Sequence, residues 1–138
     1  MDAEGAFVIS PEDTLDAHLG FEIIEIKADS ARAQVPVTSR VLQPFGLVHG
    51  GVYAALAESL ASIATAQAVW DEGNTAVGLS NATSFMRPAT EGTVHALATR
   101  RHRGRTTWVW DVDMTDDAGR MCATTRVTMA VRPRPDAA

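Results

Sequence analysis

Cysteine appears once in this 138-residue chain, at Cys122, and lysine once, at Lys27. One thiol excludes an internal disulfide framework and leaves no second cysteine for a redox or metal pair. A basic excess is also missing. The formal charge is −5 and the pI about 5.2, which argues against a nucleic-acid partner, because phosphate backbones are met by a positive face. Met1 to Phe7 carries Asp2 and Glu4 instead of the basic-then-apolar pattern of a secretory signal. No uncharged apolar run approaches the roughly 18 residues of a membrane span except Gly46 to Trp70, and His49, Glu58, Ser59, Ser62, Thr65 and Gln67 interrupt it. His18, His49, His95 and His102 show no metal-ligand spacing. Phosphate loops, dinucleotide fingerprints and nucleophile elbows are missing too. These absences predict a cytoplasmic protein that spans no membrane, holds no metal and needs no bound cofactor.

What is present suits one domain over 1–138, with a tail frayed after about Pro133. Hydrophobic residues are 46% and charged residues 21%, ordinary for a globular chain. A monomer of this size buries only about two-thirds of its unfolded surface, so association with copies of itself would help it. Pro11-Glu12-Asp13 reads as the first turn of a short helix capped by Ser10, running to about His18 and stopped by Gly20. Two strands follow, Phe21 to Lys27 and Ala31 to Val37, with a turn at Asp29-Ser30. Residues 38–48 read as a loop. From Gly50-Gly51 to Trp70 runs the strongest helix, rich in Ala and Leu and with almost no charged face, so it is expected to be buried all round. Four strands complete the chain: Ala76 to Phe85, Gly92 to Arg101, Thr106 to Met114 and Met121 to Val131, the last two joined by a hairpin turn at Asp116-Asp117-Ala118-Gly119. The predicted class is α+β, an antiparallel sheet wrapped around one long central helix.

Glu58 is the only Asp, Glu, Lys or Arg between Phe45 and Trp70. A carboxylate among small apolar residues costs several kcal/mol in desolvation unless something compensates. An exposed helix edge would explain it, but this helix offers no other polar face, so a catalytic carboxylate is the favoured reading. Ser62, one turn on, shares its face and suits a water-orienting hydroxyl. It also suits a bond to its own backbone. Gly50-Gly51 leaves unblocked N–H groups at the helix start, which suit a developing oxyanion, although a glycine pair by itself only eases a turn. Gly50 and Glu58 are separated by eight helical steps, about 12 Å along the axis. Each must approach one carbonyl to within about 3 Å, so a joint site needs one group from each of two antiparallel subunits. Arg100, Arg101, Arg103 and Arg105 crowd one turn, either to hold a nucleotide phosphate or as a solvated hairpin end.

Gln43-Pro44-Phe45-Gly46-Leu47-Val48-His49-Gly50-Gly51 through Ala57-Glu58-Ser59, with Gly78 to Phe85, Thr106 to Val112 and Asp116 to Arg120, resembles the hotdog acyl-CoA thioesterases of the phenylacetate-degradation and 4-hydroxybenzoyl-CoA type. The resemblance runs from about Asp16 to Arg134. It implies metal-free hydrolysis of acyl-CoA, with coenzyme A only as part of the substrate, and dimers that pair into tetramers. The residue matching Glu58 is nucleophile or general base. Gly50 donates its N–H to the thioester oxygen, helped by Gln43 and His49, and Ser62 contacts the lytic water. Asp16 matches an acidic position that receives a ring hydroxyl, while a helix cap or surface charge is its plain alternative. Arg87 and the Arg105-Thr106 region match coenzyme A contacts, although Arg105 stands where the family usually has Ser. The implied substrate is an aromatic, hydroxylated acyl-CoA. A broad-specificity proofreading thioesterase is the nearest rival, and a non-catalytic acyl-CoA-binding domain a more distant one.

Overall fold

Ser10 is followed by Pro11, whose ring fixes φ, and the chain turns at once into a 3-10 turn over Pro11–Asp13. The computed structural model describes residues 10–135, so Met1 to Phe7 and the last three residues of the tail lie outside the described residues. The expected single helix from Pro11 is broken at Thr14, which is extended. Its hydroxyl donates to Pro11 O (2.7 Å) and accepts from Ala17 N (3.2 Å). Thr14 therefore closes the first turn and caps α1 (Leu15–Leu19), while Ser10 makes no side-chain cap. α1 ends at Gly20, where φ of +81° is left-handed backbone that glycine adopts without Cβ strain.

The isoleucine-rich β1 (Glu22–Ile26) then pairs with β2 (Ser30–Pro36), in which buried Ala31, Ala33 and Val35 alternate with polar residues. After a 3-10 turn at Ser39–Val41 comes α2 (Gly50–Val69), followed by β3 (Asn74–Phe85), β4 (Thr93–Arg103), β5 (Thr107–Thr115) and β6 (Met121–Pro133). All pairings are antiparallel, in the order β1-β2-β4-β5-β6-β3. The tail stays attached one residue past β6: Arg134 N donates to Gly73 O (2.9 Å) and its guanidinium lies 4.0 Å over Trp70.

The sheet curls round α2. Trp108, Trp110, Val112 and Met114 of β5, with Val127 and Met129 of β6, meet Leu56 and Leu60 of the helix, all essentially without exposure. One polar path through this core is satisfied: Trp110 Nε1 donates to Thr65 Oγ1 (2.9 Å), which donates to Ala61 O (2.8 Å). Burial of α2 departs from expectation. Val52, Tyr53, Leu56, Ala57, Leu60, Ala61, Ala64 and Thr65 are buried, a stripe of helical period. The opposite face, with Ala54, Ala55, Glu58, Ser62, Ile63 and Ala66, is only half-covered. One sheet can cover only one side of a helix, so a single chain leaves an apolar, small-residue face open. By length and composition α2 and the turn after it would pass for a membrane span, yet here they form the core helix of a sheet-wrapped domain.

Candidate active site

Glu58 projects from the middle of α2 toward β3, half-buried. Opposite it stands Gly78, and a Cβ there would lie 2.1 Å from Glu58 Oε1. A side chain at position 78 would thus occupy the carboxylate's place. The register of β3 against β6 passes from Gly78–Met129 to Ser80–Thr128, leaving Leu79 as an extra, bulged residue. The bulge shifts the strand's alternation by one, so that Gly78 and Asn81 both face α2. Asn81 Nδ2 donates to Glu58 Oε2 (3.1 Å) and to Ala54 O (3.0 Å). Neither Gly78 nor Asn81 figured among the expected site residues. Glycine inside a strand, marking a close approach, and asparagine, depleted in strands, were the available signals.

The other expected residues fall at three places. At the start of α2, His49 is the N-cap, its Nδ1 accepting from Gly51 N (2.8 Å), so a neutral ring carries its hydrogen on Nε2. Gly50 is the first helical residue, beyond reach of an intrahelical acceptor. Gln43 begins a tight loop in which its N–H donates to Leu47 O (2.8 Å) and its side-chain oxygen accepts from Phe45 N. A cleft of about 400 Å³ opens here, lined by Leu47, Gly50, Tyr53, Phe85, Arg87 and Cys122. Glu58 is not part of its wall. Burial pushes the Cys122 thiol upward in pKa, and Tyr53 is pushed up to about 12, first by burial and then by the neighbouring thiol.

Ser62 and Asp16 lie along α2. The Ser62 hydroxyl points to Met129 Sδ (3.8 Å), on the residue paired with Gly78, so it faces the same stretch of sheet as Glu58. Asp16 neither caps α1 nor stands free. Its Oδ1 accepts from Ser59 Oγ (2.6 Å), docking α1 against α2 one residue beyond Glu58.

Arg105 and Thr106 lie at the far end of the helix, where Arg105 lines a hollow with Val69, Glu72 and Trp108. Thr106 O accepts from Val131 N (2.9 Å) and Arg132 (3.2 Å). Three of the crowded arginines are committed internally. Arg100 donates to Ala28 O (2.7 Å), Arg101 to Asp111 (2.9 Å) and Arg103 to Glu72 (3.4 Å), with Arg100 and Arg103 also covering the Trp108 ring. Only Arg105 of the four has no such partner among the described residues. Also among them, no three His, Cys, Asp or Glu side chains gather as a metal site.

Comparison with known proteins gives the family and the fold. The sequence profile described as the thioesterase superfamily matches residues 45–123, more than half of the chain. The chain belongs to this superfamily. It is similar to the proofreading thioesterase EntH of Klebsiella pneumoniae, 39% identical over 122 residues that make up 88% of each chain. Its fold is similar to that of a thioesterase from Haemophilus influenzae, 38% identical with a TM-score of 0.83, the match covering 88% of this chain and 84% of that one. It also resembles the PaaI protein of the E. coli phenylacetic acid degradation operon, 28% identical with a TM-score of 0.76, over 86% and 83% of the two chains. The six-stranded antiparallel sheet around α2 is therefore a hotdog fold, and the protein is an acyl-CoA thioesterase of the PaaI-like kind.

Proposed function

We propose that this thioesterase cleaves aromatic, hydroxylated acyl-CoA at a site shared by two subunits, with Glu58 as the reacting carboxylate. The observation that carries the proposal is the separation of Glu58 from the Gly50 cleft within one chain. An antiparallel partner lying along the half-covered face of α2 and the free edge of β3 brings Gly50 of the partner subunit toward Glu58. Val77, Leu79 and Phe85 on β3 are each more than half exposed in the single chain, which suits such a contact. The same two-fold sets Arg87, which shares the cleft of Gly50, on the same side of the dimer seam as the far end of the other helix, where Arg105 and Thr106 lie. Coenzyme A contacts drawn from both ends then serve one substrate.

In this reading the thioester oxygen accepts from the Gly50 N–H, with the Gln43 carboxamide and His49 Nε2–H nearby. Glu58 attacks the carbonyl carbon, the C–S bond breaks and coenzyme A leaves as the thiolate, which takes a proton from solvent; water then hydrolyses the acyl-glutamate to the free acid and the restored Glu58 carboxylate. Alternatively Glu58 takes a proton from water as the water attacks, with Ser62 holding that water. Side chains and water suffice, without metal or bound cofactor. Asp16, held against α2 by Ser59 one residue beyond Glu58, is the acceptor for a ring hydroxyl. Pairing of dimers into tetramers and a cytoplasmic setting complete the proposal.

The proofreading name carried by the Klebsiella relative favours a second reading, broad specificity with the same chemistry. Thiol release from 4-hydroxybenzoyl-, benzoyl-, phenylacetyl- and hexanoyl-CoA separates the two. The aromatic reading expects at least a hundredfold preference for the hydroxylated ester over hexanoyl, about 3 kcal/mol in transition-state binding. A flat profile selects the proofreading reading. Glu58→Gln should fold normally and lose most turnover on every ester.

A further inference from the structure

We infer that Asn81 and Thr83 form a hydrogen-bond relay that fixes the Glu58 carboxylate by one oxygen and leaves the other, Oε1, as the reacting atom. The inference rests on Glu58 being the reacting carboxylate. Asn81 Nδ2 lies between two acceptors, Ala54 O and Glu58 Oε2, and a carboxamide nitrogen has two hydrogens, one for each. A flipped amide would set its oxygen against both acceptors, so the nitrogen must face Glu58. Behind it, Thr83 Oγ1 donates to Asn81 Oδ1 (2.9 Å) and is itself 2.9 Å from Thr125 Oγ1. With its own hydrogen committed to Asn81, Thr83 must accept from Thr125. Thr125 is 1% exposed, so the relay is anchored in the core of the sheet and runs Thr125 to Thr83 to Asn81 to Glu58.

The two oxygens of Glu58 are thereby made unequal. Oε2 is tethered. Oε1 lies over the Cα of Gly78, where only the missing side chain gives it room, and has no protein donor among the described residues. The bulge at Leu79 makes this possible, because without it Gly78 and Asn81 would lie on opposite faces of β3. Asn81 is thus a positioning residue: it narrows the carboxylate to one orientation, and orientation of a reacting group governs rate more than binding.

The test compares Asn81→Ala, Thr83→Val and Thr83→Ser with Glu58→Gln in the full chain, using benzoyl-CoA and following kcat and KM separately. Asn81→Ala should lower kcat about a hundredfold with KM little changed. Thr83→Val keeps shape but cannot donate to Asn81, and should lower kcat about tenfold, as for one lost hydrogen bond. Thr83→Ser, which restores the donor, should return kcat to within about twofold of the parent. A merely structural role makes no distinction between Val and Ser, so equal kcat in the two variants, whether kept or lost, overturns the relay. It is also overturned, alone, by full kcat in Asn81→Ala and Thr83→Val while Glu58→Gln is inactive. Parental turnover in Glu58→Gln overturns the relay and the catalytic reading together.

Discussion

Tyr53 shows how little a buried polar atom near the site has to contribute. Its ring packs against Phe85 with centroids 6.1 Å apart and it is 3% exposed. The hydroxyl lies beside the Cys122 thiol and the Ala89 backbone, yet makes a well-formed hydrogen bond to neither. A hydroxyl that lost its water and gained no partner opposes folding. Tyr53→Phe should leave stability at pH 7 unchanged or raise it by up to about 1 kcal/mol in urea melts. The pH dependence has a definite sign. The folded phenol, pushed up to about 12, holds its proton after the unfolded one, near 10, has lost it. Stability is therefore full below pH 10 and falls as pH climbs toward 12, by up to about 1.4 kcal/mol per unit. The raised Cys122 thiol adds loss of the same sign, so the parent-minus-variant difference should isolate the Tyr53 share. A difference that stays flat from pH 9 to 12 would contradict this account.

At the scale of the element, β3 combines functions that a regular strand cannot. A strand of strict alternation has every second residue toward the helix, whereas the bulge at Leu79 sets Gly78 and Asn81, three positions apart, on one face. Gly78→Ala tests the closeness of this contact. The new Cβ would meet the end of a flexible side chain, so Glu58 swings away and the backbone need not move. Thermal stability should hold, since alanine is no worse than glycine in a strand. Turnover should fall about a hundredfold, as for a reacting group displaced by about 1 Å. Loss of fold together with activity would show that the carboxylate cannot yield.

At the scale of the whole molecule, the proposed shared site requires Gly50 and Glu58 to come from different subunits of a dimer. His49 is extended (φ −62°, ψ 133°), the conformation favoured before proline, and Gly50 is the first helical residue, where proline is tolerated. Gly50→Pro therefore removes the N–H with little harm to the helix, provided the Phe85 ring 2.9 Å from that Cβ gives way. Homodimers of Gly50→Pro and of Glu58→Gln should both be inactive. Refolded together in equal amounts, half the dimers are mixed and carry one intact site of two, so about a quarter of parental activity should return. No recovery, despite mixed dimers detected by mass, would place both groups in one subunit.

The elements were largely legible in the sequence, because periodicity and turn chemistry act locally. The alternating Trp108, Trp110, Val112 and Met114 predict a strand with one buried face, and the Ala-rich run after Gly50 predicts the helix. Glu58 stood out for the same local reason, as the lone acid in an apolar run. Thr14 shows the limit: Ser10 and Thr14 are both good caps by type, and only the path of the backbone after Pro11 selects between them. The long-range choices belong to tertiary structure. The bond from Ser59 to Asp16 spans 43 positions and the relay from Asn81 to Glu58 spans 23. Pairing of β3 with β6 decides where the bulge falls, and the bulge decides which residues meet the carboxylate. The sequence by itself determined the helix, the strands and the carboxylate they surround. Sheet register and side-chain approach decided what touches that carboxylate, since contacts between distant segments depend on how whole elements pack and leave no local pattern to read.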